Sequence, residues 1–208
     1  TLNDKNKDLI DFYKAIKKDG GKFIALCRSY FNPQNNTANK YYKYRDEFNH
    51  SSNKQNKPAL FLYLNRHSYN GLCRYNLSGE FNVPFGKNDK PYFPEKELLY
   101  LEKKIKKAKL QNKDFVTVME EAKQGDVVYC DPPYVPISDT SNFTSYNAKG
   151  FSIEEQEKLA FMAKKLAQKG IPVLISNHAT TFTKKIYADS EIGQATNLPA
   201  SKIAEALR

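Results

Sequence analysis

The sequence predicts an α/β fold, on three observations: an apolar run that ends in a carboxylate and two prolines, a capped amphipathic helix after it, and a second apolar run directly behind that helix. Asp126 to Cys130 reads as a buried strand that stops at Asp131-Pro132-Pro133-Tyr134. Ser152 with Glu155 three residues on forms a capping box, and Leu159, Met162, Ala163 and Leu166 supply an apolar face at helical spacing, closed by Lys169-Gly170. Ile171 to Ser176 is the second strand. Strand, loop, helix and strand in that order make a parallel βαβ unit. In an open sheet of this kind ligands gather outside the carboxyl ends of the strands. Both the Asp131 tetrapeptide and Ser176-Asn177-His178 fall at such ends, so the two loops are expected to share one crevice.

The elements ahead of this unit are mostly helical. Leu9, Ile10, Phe12, Tyr13 and Ile16 predict a helix over 8–18, ended by Asp19-Gly20-Gly21, and Phe23 to Tyr30 predicts a second one. Asn32 to Asn36 is a polar loop. Tyr41 to Asn49 and Lys57 to Arg66 predict further helices, the latter a core helix through Leu60, Phe61, Leu62, Tyr63 and Leu64. From Ser68 to Pro94 helical spacing vanishes. Arg74-Tyr75-Asn76, Leu77-Ser78-Gly79-Glu80 and Phe81-Asn82-Val83-Pro84 read there as strand, glycine-containing turn and strand. Glu95 to Leu110 predicts a basic helix. A chain of 208 residues accommodates one packed domain with an inserted lobe.

The formal charge of +10 arises from 33 Lys and Arg against 23 Asp and Glu, which favours a polyanionic partner such as nucleic acid over a neutral metabolite; a generic basic surface is the other reading. Cys27, Cys73 and Cys130 are odd in number and widely spaced, without a CxxC pair or a zinc-ligand pattern, so a reduced cytosolic protein without a structural metal is expected. No run approaches the roughly 18 apolar residues that span a bilayer. The N-terminus lacks the apolar core of a signal peptide. A soluble, intracellular protein without membrane partners follows as the expectation.

Asp131-Pro132-Pro133-Tyr134 has the parts needed to grip a planar amine. Two prolines fix φ and remove two backbone donors, which leaves the carbonyls of Asp131 and Pro132 to accept from an exocyclic NH2 group, and Tyr134 offers a face on which the ring stacks. A strand that simply stops at a Pro-Pro turn is the alternative. Asp131 as a metal ligand would need a second carboxylate or a nearby His, and this stretch holds neither. His178 is read as an ordinary strand-end histidine rather than a general base, and His50 and His67 as solvated side chains in polar surroundings. The segment from Asn65 to Asn76 interleaves Arg and Asn with aromatics. Arg suits guanine and Asn suits adenine in the major groove, and Tyr69 beside Asn70-Gly71 suits a wedge in a base stack; a tyrosine-rich loop packed on its own domain is the alternative.

These strings resemble the DNA adenine-N6 methyltransferases of the Dam type. The similarity runs from about Asp4 to about Lys185 and is strongest in Phe61 to Arg66, Tyr69 to Asn76, Gly79 to Gly86, Pro91 to Pro94, Val127 to Tyr134, Asn142-Phe143-Thr144 with Tyr146, and Ile171 to His178. The resemblance implies a partial Rossmann-like S-adenosylmethionine-dependent methyltransferase sheet with an inserted helical and β-hairpin DNA-recognition lobe. Residues 1–22 would belong to the catalytic domain, 23–112 to the target-recognition lobe and 113–208 to the catalytic domain with its DPPY loop. It implies methylation of adenine in GATC from S-adenosylmethionine, without a metal, on double-stranded DNA, by a cytoplasmic monomer. Asp131, Pro132, Pro133 and Tyr134 match the catalytic tetrapeptide, which holds the flipped adenine. Asp4 and Asp131 match cofactor-binding positions. Tyr69 matches the wedge, with Asn70 interacting beside it, and Leu72, Arg74 and Pro84 match base-reading positions. The family's opening Phe-x-x-Ala-Gly-Gly-Lys element and its Phe-x-Gly loop have no counterpart, since Gly20-Gly21-Lys22 follows a helix. The chain is therefore expected to start after that part of the cofactor site, as a truncated or divergent form, with a DNA-binding module that no longer turns over as the alternative.

Overall fold

Asn6 starts the first helix by accepting from the backbone N–H groups of Asp8 and Leu9, two of the donors that every helix start leaves unpaired. In the computed structural model, which describes residues 1–51, 55–136, 151–188 and 190, this helix, α1, runs over Lys7–Tyr30. The expected stop at Asp19-Gly20-Gly21 is a kink instead of an end. Asp19 leaves helical geometry (φ −157°, ψ 79°), its carboxylate accepts from the Lys22 backbone N–H at 3.2 Å, and the helix resumes. The two predicted helices are thus one bent element, because the Asp19 carboxylate caps the second half within a turn of the first ending.

Thr37 caps α2 (Ala38–His50), and α3 (Lys57–His67) is buried along nearly its whole length. The helix α4 (Glu95–Ile105) ends before the expected Leu110. Its last stretch is crowded with lysines, and Leu110–Gln111 leaves to form β2, which pairs in parallel with β1 (Leu2–Asn3), Leu2 opposite Leu110 and Asn3 opposite Gln111. Two-residue strands carry no alternation to read, so this pair escapes sequence analysis.

These elements form the first of two compact units, Thr1–Phe115. Its core draws Ile16, Phe12 and Phe23 from α1, Tyr41 and Phe48 from α2, Leu60 to Leu64 from α3, and Leu98 and Ile105 from α4. Each such side chain fully buried contributes about 1.5–3 kcal/mol. Aromatic edges interlock there: Phe12 meets Phe23 at 5.6 Å and Tyr44 meets Tyr63 at 5.1 Å. His67 corrects its sequence reading. It is 1% exposed, its Nδ1 lies 2.8 Å from the Tyr63 carbonyl, and its ring stacks on Tyr63 at 3.9 Å. Burial pushes its pKa down to about 4 against the small opposing effect of that carbonyl, so it is a neutral core residue. His50 is exposed and holds Asp46 and Glu80 through its two ring nitrogens.

The second unit, Val116–Arg208, carries the predicted parallel pair. The short helix α5 (Phe115–Glu120) leads in, followed by β3 (Val128–Cys130), α6 (Ile153–Ala167), β4 (Val173–Ile175) and α7 (Thr181–Ile186). Val128 stands opposite Val173, Tyr129 opposite Leu174 and Cys130 opposite Ile175, all in parallel. Ser152 and Glu155 complete the expected capping box, and Thr180 with Thr183 forms a second one. The molecule is mixed α/β with small sheets. Among the described residues, no helix is long and apolar enough to cross a membrane.

Candidate functional site

At the carboxyl ends of β3 and β4 the two strand-end loops meet. A serine hydroxyl has one proton, and that of Ser176 goes to Asp131 Oδ1 at 2.5 Å. The Tyr129 hydroxyl lies 3.3 Å from the same Ser176 oxygen, so it must donate there, which makes a Tyr129, Ser176, Asp131 chain ending on the carboxylate. Asp131 is exposed beyond this contact. Asn177 Oδ1 accepts from the Val135 backbone N–H at 3.0 Å, and His178 Nδ1 lies 2.8 Å from the Val135 carbonyl. A carbonyl only accepts, so His178 carries its proton on Nδ1. His178 meets Tyr134 edge-on at 4.9 Å and 78°, which steadies a ring that stays 42% exposed. These contacts give His178 a positioning task at the strand end.

Beneath the loop lies a residue that the sequence reading missed. Gln156 on α6 is fully buried, donates from Nε2 to the Pro133 carbonyl at 2.8 Å, and accepts at Oε1 from Asn177 Nδ2 at 3.1 Å. Its signal was a polar side chain three residues before Leu159 on an otherwise apolar stripe. Gln156 engages the Pro133 carbonyl; among the described residues no hydrogen bond reaches that of Pro132. Burial raises the Cys130 thiol to about 11, which keeps it protonated and unreactive behind the site.

The first unit holds the other group of predicted residues. Tyr69–Gly71 forms a 3-10 turn after α3, with Asn70 at φ +51° and Gly71 at φ +64°. The turn is braced by Asn65 Nδ2 donating to the Gly71 carbonyl at 2.7 Å, by the Ser68 hydroxyl, which shares its one proton between the carbonyls of Asn65 and Leu72, each at 3.1 Å, and by the Tyr69 N–H donating to the Pro84 carbonyl at 2.9 Å. Gly86 permits this last approach: a Cβ there would stand 2.4 Å from the Ser68 carbonyl oxygen. Tyr75 and Phe81 bridge antiparallel around the Asn76 to Glu80 turn, so the region is a hairpin. Tyr69, Asn70, Leu72, Arg74 and Pro84 are all exposed, and Arg74 Nε donates to Asn82 Oδ1 at 2.9 Å. Beside the turn a cavity of about 480 Å³ is lined by Asn65, Arg66, Asn70, Lys90 and Tyr92 among others, with Arg66 over the Tyr92 ring at 5.8 Å.

Asp4 stands just past β1, its Oδ1 accepting the Asn6 N–H at 2.7 Å. It opens on a second cavity of about 380 Å³, walled by Asn6, Leu9, Phe12, Phe61, Leu62 and Cys73. A carboxylate on the rim of a largely apolar cavity is a combination that can take a hydroxyl-bearing ligand with a flat ring. Among the described residues, no group of three or more His, Cys, Asp or Glu could hold a metal ion. Asn142 to Thr144 and Tyr146 lie outside the described residues.

The family described as D12 class N6 adenine-specific DNA methyltransferase matches residues 1–199. A protein of Escherichia coli (strain K12) named DNA adenine methylase is 47% identical over 191 residues, covering 92% of this chain and 69% of the relative. Proteins of the same name from Serratia marcescens and Vibrio cholerae are 48% and 44% identical, each again with 69% of its length covered.

Proposed function

The chain belongs to the D12 class N6 adenine-specific DNA methyltransferase family, and from that premise we propose that it transfers a methyl group from S-adenosylmethionine to the N6 amine of adenine in duplex DNA, within GATC. The observation that carries this reading is the strand-end cluster: a carboxylate fixed by Ser176 stands three residues before an exposed ring fixed by His178. A flipped adenine needs those two things, an acceptor for its amine hydrogens and a face to stack on.

In this reading Tyr134 stacks on the extruded base, while Asp131 and the Pro132 carbonyl accept the two N6–H groups. Holding both hydrogens in this way draws the amine out of conjugation with the ring and turns its lone pair toward the methyl donor. S-adenosylmethionine supplies an electrophilic methyl group, and Asp4 with the slot behind it holds the nucleoside part. Alignment lowers the barrier here more than base strength does, because N6 is a weak nucleophile. The proton released after transfer leaves through the Asp131 carboxylate, adjacent to exposed surface.

We assign β3, α6 and β4 to a Rossmann-like methyltransferase sheet, with residues 1–22 and 113–208 as catalytic parts and 23–112 as the DNA-recognition lobe. Tyr69 wedges into the duplex with Asn70 interacting beside it, and Leu72, Arg74 and Pro84 read bases; their shared exposure at one braced turn and hairpin supports this. The positive charge suits DNA, and three unpaired thiols suit a reducing, cytoplasmic compartment, in which we take the protein to act as a monomer. The test is methyl transfer by this chain from labelled S-adenosylmethionine to a GATC duplex. Transfer to adenine that is lost in Asp131→Ala, with duplex affinity within about threefold, is expected, because a carboxylate that aligns the amine acts on the reacting geometry and not on the encounter with DNA. Duplex binding without any transfer would favour a DNA-binding module.

A further inference from the structure

One carboxylate ties the start of α1 to the hairpin. Asp8 Oδ2 accepts from the Tyr75 hydroxyl at 2.9 Å, and Asp8 Oδ1 lies 3.1 Å from Lys57 Nζ, with the Asp8 side chain only 16% exposed. The Asp8 backbone N–H in turn donates to Asn6 Oδ1 at 3.0 Å, and Asn6 Nδ2 lies 3.8 Å from Cys73 Sγ, two residues before Tyr75. The hairpin is therefore held at the base of its first arm by side chains of the helix start and along its second arm by Asn49 of α2, which bonds the Phe81 N–H and carbonyl, while Leu77 at its tip is 80% exposed. Across the hairpin the Tyr75 ring meets buried Phe81 edge-on at 5.8 Å and 88°. Burial, with the Asp8 charge behind it, pushes the Tyr75 phenol pKa well up, so the hydroxyl remains a proton donor at every physiological pH.

Successive side chains in an extended strand point to opposite faces, so whatever fixes Tyr75 inward fixes Arg74 outward. Arg74 is further restrained by Asn82 on the opposite arm, whose Oδ1 accepts from Arg74 Nε at 2.9 Å and whose N–H donates to the Arg74 carbonyl at 3.1 Å. We propose that Asp8 and Tyr75 are positioning residues for target recognition: their hydrogen bond sets the register and tilt of the hairpin and thereby holds Arg74 where it discriminates between bases. Neither residue touches a base. The proposal rests on the reading of the hairpin as the base-reading element.

The test is competition binding at fixed salt between a GATC duplex and a duplex with one base pair changed, using the full chain and its Tyr75→Phe, Asp8→Ala, Asp8→Asn and Arg74→Ala variants, with the thermal midpoint of each. Tyr75→Phe and Asp8→Ala are expected to lower the discrimination ratio by about tenfold, the scale of losing one well-placed base contact. Asp8→Asn retains an oxygen that accepts from Tyr75 and is expected to stay within about threefold of the parent ratio. A merely structural role would lower the thermal midpoint and weaken both duplexes together, with no rescue by Asn, and that result would overturn the proposal. So would a parental ratio in Tyr75→Phe and Asp8→Ala when Arg74→Ala has lost it, and the base-reading assignment would then stand. A parental ratio in Arg74→Ala itself removes the base-reading assignment first. Should Asp8→Ala fail to fold, Tyr75→Phe decides, because it deletes only the hydroxyl.

Discussion

The proton of the Ser176 hydroxyl is committed to Asp131, with Tyr129 donating in behind it. Removing that hydroxyl leaves the carboxylate free to rotate and deprives it of a bond worth about 1.5–3 kcal/mol when the acceptor is charged. Ser176→Ala is accordingly expected to slow methyl transfer by about 10- to 100-fold with duplex affinity unchanged. Single-turnover rates beside equilibrium binding check it; equal loss in both would place Ser176 in folding and not in alignment. At this scale the tetrapeptide was legible because its four parts are adjacent in sequence. Its partners were not, since Ser176, 45 positions away, reaches Asp131 only through the parallel register that sets Cys130 opposite Ile175.

Among elements, α6 does more than bury its stripe. Gln156 connects the Pro133 carbonyl to the Asn177 amide, so the helix fixes both strand-end loops with one side chain. Gln156→Leu keeps the volume but deletes both part-buried hydrogen bonds, at about 0.5–1.5 kcal/mol each. A loss of stability of about 1–3 kcal/mol in denaturant titration is expected, and a change under about 0.5 kcal/mol, the range of ordinary surface substitutions, would remove Gln156 from this role. The helices α2 and α3 were readable from their apolar residues and α6 from its periodicity and capping box. The single kinked course of α1 and the early end of α4 were not, because the first depends on where the Asp19 carboxylate finds a donor and the second on a strand partner far away in sequence at Leu2.

For the molecule as a whole, charge and one buried histidine set the response to solution conditions. With a net charge of +10 and a polyanionic substrate, duplex affinity is expected to fall by about a hundredfold or more from 50 to 200 mM salt, as release of counterions from about four phosphates requires. A flat salt profile would exclude phosphate contacts as the main source of affinity. His67 ionises near 4 in the folded chain and near its ordinary 6.5 when unfolded. Between those values the unfolded chain binds the extra proton, so this contribution to stability is intact above pH 6.5 and declines as pH falls toward 4, by on the order of 3 kcal/mol at the limit. Denaturant titrations of the parent and of His67→Gln across that range isolate it from the carboxylates, and parallel pH profiles would show that His67 is not the group responsible. His50 has the opposite sign, its pKa raised by Glu80 and Asp46, but it is solvated and adds little.

Read along the chain alone, the residues already declare the chemistry on offer: the carboxylate, prolines and ring of the tetrapeptide, the aromatic and arginine-bearing hairpin, the parallel βαβ order and the basic charge. These features are local, and local spacing is what periodicity, turn and motif rules register. Packing in three dimensions was needed to show that Ser176 restrains Asp131, that Gln156 joins two loops, that His67 is a core residue and that Asp8 holds the hairpin through Tyr75. Each of those facts depends on a polar atom set beside a partner in another element, and such a pairing follows from how the elements pack, which no window along the chain contains.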